Sequence, residues 1–83
     1  MNVLEQLTPM QKIIVEQLQK PQTPGQIADL LNLEKYKTRQ HAVRSVNNVL
    51  KVLMAQGFVE RVKEENAYLY HLAPRIKTLV VKS

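Results

Sequence analysis

The stretch from Thr38 to Gln56 constrains the fold more than any other part of this chain. On a helix of about 3.6 residues per turn, Ala42, Val43, Val46, Val49, Leu50 and Leu53 fall on one side. Gln40, His41, Arg44, Asn48 and Lys51 fall on the other, with Ser45 and Asn47 on the flanks. Thr38 can cap the start and Gly57 can stop the end. The inward side carries no charge after Arg39, and the outward side carries no acid. Such a segment needs a core under its apolar side. It then presents cations and amides to whatever lies outside.

After Gly57 the period changes from helical to alternating. Phe58–Lys63 and Ala67–Leu72 read as two strands, with Glu64-Glu65-Asn66 as the turn of a hairpin and Pro74 as the stop. Upstream, one start signal occurs twice, as Thr8-Pro9-Met10-Gln11 and Thr23-Pro24-Gly25-Gln26. In each, Thr caps, Pro suits the first helical position, and Gln can reach back to close a capping box. The spacing predicts buried stripes at Met10, Ile13, Ile14 and Leu18 in the first helix, which Pro21 ends. Ile27, Leu30 and Leu31 form the stripe of the second. Residues 32–38 are polar and basic and are expected to form the turn before the long helix. The tail from Arg75 holds Ile76, Leu79, Val80 and Val81, and its pattern fits a short helix or a strand equally.

The order is helix, helix, helix, hairpin, tail, which is an α+β chain, mostly helical. Its 83 residues suffice for one small domain over 1–83: an arm at 1–7, a core at 8–73 and a tail at 74–83. The 45% hydrophobic share suits a globular chain. With no cysteine, disulfides, thiol chemistry and cysteine-held metals are excluded. No apolar run approaches the roughly 20 residues of a membrane span, nor the 7–15 or so of a signal peptide. A soluble, cytoplasmic protein is therefore expected.

The net charge is +5. It concentrates in residues 34–56, where Lys35, Lys37, Arg39, Arg44 and Lys51 face a single acid, Glu34. A clustered cationic stretch is the footprint expected for a polyanion partner.

The run Ser45-Val46-Asn47-Asn48-Val49-Leu50-Lys51-Val52-Leu53-Met54-Ala55-Gln56-Gly57-Phe58-Val59-Glu60-Arg61-Val62 resembles the core of winged helix-turn-helix regulators, the MarR-type group in particular. In that group a recognition helix opens on a small polar residue and Val. A Gly then precedes an apolar pair and an Arg that begin the wing. Thr23–Leu33 resembles the first helix of the helix-turn-helix, and Tyr68-Leu69-Tyr70-His71-Leu72 resembles the returning wing strand. The likeness spans about residues 8–73. It implies a recognition helix at about 38–56 in the major groove of double-stranded DNA, with the hairpin reaching toward the backbone or the minor groove.

The residues themselves agree in part. Arg and Lys donate to guanine edges or phosphates, and Asn and Gln bond adenine. The candidate DNA contacts are Lys35, Lys37, Arg39, Gln40, His41, Arg44, Ser45, Asn47, Asn48, Lys51, Arg61 and Lys63. The apolar residues of arm and tail, Val3, Leu4, Leu7, Ile76, Leu79 and Val80, are candidates for a homodimer interface. Two-fold pairing would set two recognition helices about 34 Å apart on a palindromic site. No cofactor and no metal are expected, because two His and seven acids are too scattered for such a site. No catalytic relay is evident either. The expectation is a non-enzymatic transcriptional regulator. The alternative is a winged-helix module for protein–protein contact, or an accessory factor in replication or assembly. The net acidic tip Lys63-Glu64-Glu65-Asn66 and the apolar tail favour the alternative.

Overall fold

In the computed structural model the chain forms a 3₁₀ turn at Val3–Gln6 and then α1 (Pro9–Gln17), α2 (Pro24–Leu30) and α3 (Arg39–Ala55). β1 (Val59–Glu64), β2 (Ala67–Leu72) and α4 (Pro74–Lys82) follow. Residues 3–31 and 37–82 are described, with side chains at 5–31 and 37–79. The architecture is α+β, mostly helical, with one two-stranded antiparallel hairpin.

Both Thr-Pro-x-Gln signals form full capping boxes. The Thr8 hydroxyl accepts from the Gln11 amide at 3.2 Å, and the Thr8 amide donates to the Gln11 side chain at 2.9 Å. Thr23 and Gln26 repeat those two bonds at the same distances. Such a cap contributes about 1 kcal/mol to its helix. The buried stripes differ from the sequence pattern by one position in each helix. α1 buries Ile14, Val15 and Leu18 and leaves Ile13 43% exposed. α2 buries Ile27 and Ala28 and leaves Leu30 57% exposed, with Leu31 packed at the core edge. Helices of nine and seven residues bury so little that the tertiary fit sets their rotation, and the apolar residue left over faces outward.

α3 is the long element, at 17 residues or about 25 Å. The Thr38 hydroxyl accepts from the His41 amide at 3.2 Å and fixes its first turn. Ala42, Val46, Leu50 and Leu53 are wholly buried, and Val43 and Val49 pack at their margin. Gly57 ends the helix in the left-handed region, at φ +79°. Its amide donates to the Met54 carbonyl at 3.0 Å, and the Phe58 amide donates to the Leu53 carbonyl at 2.9 Å. These two bonds make a Schellman motif, which turns the chain from α3 into β1.

The hairpin pairs Val59 with Leu72, Arg61 with Tyr70 and Lys63 with Tyr68, closing over Glu65 and Asn66. β2 has a second neighbour. Gln22, between α1 and α2, bridges Tyr70 through reciprocal backbone bonds of 3.0 and 2.8 Å. The Gln22 side chain donates to the Gln17 carbonyl and ties that segment to the end of α1.

The tail is helical. α4 follows Ala73, whose amide donates to the Phe58 carbonyl at 3.0 Å. Ile76 is completely buried in the same cluster as Leu50 and Val59. This corrects two expectations. The core extends past residue 73, and Ile76 is filled into the core of the single chain, so its side chain offers no surface to a dimer partner. Full burial of an Ile contributes roughly 1.5–3 kcal/mol, and the tail thereby holds the hairpin base to α3. Leu7 also packs against the core, while Leu79 stays 38% exposed. The side chains of Val3, Leu4 and Val80 lie outside the described residues. No helix among the described residues is long and apolar enough to cross a membrane.

Candidate nucleic-acid interface

The buried positions of α3 recur at intervals of four and three, and they lock its rotation about its own axis. Gln40, His41, Arg44, Asn48 and Lys51 are therefore exposed, with Ser45 and Asn47 half-buried beside them. The hairpin contributes the facing wall. Strand alternation and the pairing register put Arg61, Lys63, Tyr68 and Tyr70 on one face of the two strands. Between α3 and that face lies an open groove of about 630 Å³. Arg39, Gln40, Arg44, Asn47, Asn48 and Lys51 line its helical side, Arg61, Tyr68 and Tyr70 its strand side, and Val43 lies among them. The lining holds three arginines and a lysine and no carboxylate.

Two of these arginines are held in place. The Arg61 guanidinium lies 4.2 Å from the centre of the Tyr68 ring, a cation–π distance. Its Nη1 donates to the Tyr70 hydroxyl at 3.4 Å. That bond raises the Arg61 pKa above its ordinary value. Tyr70 is 5% exposed and fixed by Gln22, so Arg61 rests on a rigid base. Arg39 is gripped from α2. Its Nε donates to Asp29 Oδ1 at 2.8 Å and its Nη2 to Asp29 Oδ2 at 3.3 Å. The bond from Arg39 holds the Asp29 carboxyl below its ordinary range, and the carboxylate in turn raises Arg39.

The groove thus gathers Arg39, Gln40, Arg44, Asn47, Asn48, Lys51 and Arg61 from the sequence candidates. Lys37, His41, Ser45 and Lys63 are not in its lining. Lys63 shares the hairpin face but sits nearer the tip. Lys35 lies outside the described residues. Tyr68 and Tyr70 are additions to the site. Their signal was present as two tyrosines at i and i+2 in a strand, which share a face, but only the register shows that this face carries Arg61.

The other hairpin face carries Glu60, Val62 and Glu64 opposite His71, Leu69 and Ala67. The acids of the tip therefore stand away from the groove, in a shallow notch lined by Glu64, Glu65, Ala67 and Leu69. No group of three or more His, Asp or Glu side chains among the described residues could hold a metal ion. Comparison with known proteins finds no matching family model, no matching curated protein and no matching solved structure.

Proposed function

We propose that this chain is a winged helix-turn-helix protein that binds double-stranded DNA and regulates transcription without enzymatic activity. In this reading α3 is the recognition helix in the major groove and the β1–β2 hairpin is the wing. The observation that carries it is the groove between α3 and the hairpin, whose lining joins four cations and three amide side chains without one acid. Arg44 and Lys51 suit guanine edges or phosphates, Gln40, Asn47 and Asn48 suit adenine, and Arg61 suits a backbone phosphate. The order of three helices and a hairpin supports the assignment. So does the Gln22–Tyr70 bridge, which ties the segment before α2 to the strand side of the groove. The MarR-type resemblance in Ser45–Val62 covers the last part of α3, the Gly57 turn and most of β1. Pairing of two copies on a palindromic site belongs to the same proposal, with Leu79 as the exposed member of the interface set among the described residues.

The test is a titration of fluorescent duplex DNA, a random pool against an enriched pool, at low and near-physiological salt. Contact with about four phosphates gives a slope of log K against log salt near −3.6. Binding that survives salt only for an enriched sequence supports the regulator, and the motif's half-site spacing reports the dimer. Sequence-blind binding that vanishes at modest salt overturns it. A second reading, a protein-contact module, is favoured by the acidic and apolar hairpin face around Val62, which is 49% exposed. It predicts that charge reversal at Arg44 leaves partner binding intact.

A further inference from the structure

Gly25 is the second residue of α2. A Cβ on Gly25 would come within 2.8 Å of Arg39 Nη2. That nitrogen also donates to the Gly25 carbonyl at 3.3 Å, while the guanidinium grips both oxygens of Asp29. The surface of α2 therefore forms a seat of three oxygens for one guanidinium, at a point stripped of its side chain. The seat is open to water, with Arg39 57% and Asp29 54% exposed. Exposed pairs of this kind add little to stability, so giving this one up costs little. Two oxygens taken by the fork of a guanidinium is also the arrangement in which arginine holds phosphate. Arg39 lines the groove beside Gln40 and Arg44.

We propose that Asp29 is an internal competitor for DNA phosphate: in the free protein it occupies Arg39, and a backbone phosphate of the bound duplex takes its place. The inference rests on the nucleic-acid reading of the groove. Displacement leaves the Asp29 carboxylate without its ion-pair partner, so the new phosphate contact is offset by the pair given up. The effect is a lower affinity for DNA in general, set by one carboxylate on the neighbouring helix. A built-in repulsive element of this sort limits unwanted association.

The test is fluorescence anisotropy with a labelled random-sequence duplex over a range of salt, with thermal melts of each variant. Asp29→Asn is expected to bind roughly fivefold tighter at low salt. Gly25→Ala keeps every charge and pushes the guanidinium off its seat. It is expected to bind about twofold tighter, a smaller gain because the carboxylate remains nearby. In an Arg39→Gln background the Asp29→Asn gain should disappear. Affinity unchanged in Asp29→Asn, or a gain that persists in full without Arg39, overturns the competitor role. If Asp29→Asn fails to fold, an unchanged affinity for Gly25→Ala overturns it instead. Arg44→Glu separates the two levels. If the wild type binds neither the random nor an enriched duplex, or Arg44→Glu binds as the wild type does, the nucleic-acid reading itself falls and takes this inference with it. If Arg44→Glu abolishes binding while the Asp29 and Gly25 variants match the wild type, only the inference falls.

Discussion

The two faces of the hairpin come from the same twelve strand residues and have opposite character. Toward α3 the strands show Arg61 and Lys63 over two tyrosines, and away from it Glu60 and Glu64 flank Val62 and Leu69. A count along the chain finds the tip Lys63-Glu64-Glu65-Asn66 net acidic and hence ill-suited to a polyanion. The fold undoes that sum, because neighbours in a strand point to opposite sides. Charge matters by face, and the face turned to α3 continues the cationic lining of the groove.

The contrast is sharpest under charge reversal. Arg44→Glu should weaken duplex binding by roughly 100-fold or more at low salt, since it turns an attraction at the groove into a repulsion. Glu64→Arg on the far face should change it by less than about threefold. Anisotropy titrations of the two side by side check this, and comparable effects would break the comparison. Stability divides in the same manner between the two ends of α4. Ile76→Ala should cost about 2–5 kcal/mol in urea unfolding, with an unchanged sedimentation coefficient for the folded protein. Leu79→Ala should cost less than Ile76→Ala, and under the proposed pairing its cost should grow with protein concentration. A small loss independent of concentration would remove Leu79 from the interface.

Tyr68→Ala removes the ring beneath Arg61 and should weaken duplex binding about threefold. Leu69→Ala, one residue away on the opposite face, should leave binding unchanged. Glu65 sits at φ +50°, where a side chain is strained. Glu65→Gly should therefore raise stability by roughly 0.5–1 kcal/mol. The smallest effect is with pH. The Asp29 carboxyl is held below its ordinary value by Arg39, so the stability it supplies is present above the ordinary carboxylate range. That stability is lost as pH falls through the lowered value. Between about pH 5 and 2 the melting temperature of the wild type should fall slightly more than that of Asp29→Asn.

Much of this was legible in the chain itself. Thr38, Gly57 and the stripe Ala42, Val46, Leu50, Leu53 define α3 to within a residue, because caps and periodicity agree over 17 residues. The Thr-Pro-x-Gln boxes locate α1 and α2 just as well, since capping is a local bond. The stripes of those short helices were misread at Ile13 and Leu30, where a few residues of pattern cannot fix a rotation that packing decides. The sequence leaves the tail open for the same reason. Helix and strand both explain Ile76 and Leu79, and only the cavity left by α3 and the hairpin base takes up the first and leaves out the second. Within the site, the cations of α3 followed from one helix face. The tyrosine support of Arg61 and the grip of Asp29 on Arg39 did not, because each joins residues from separate elements.

The sorting of charge across β1 has a consequence at its outer side, where the strand has no neighbour among the described residues. An uncovered edge is a template for another chain. Suppose two copies met there, related by a two-fold axis normal to the strands. Each face would then be shared, so residues of like parity would oppose one another. Centred on Val62, Glu60 would face Glu64 and Arg61 would face Lys63. Centred on Arg61, that residue would face its own copy. No register about such an axis sets an acid against a base. The alternation that makes one face cationic therefore also sets like charges against each other at this edge, discouraging the pairing of two copies there.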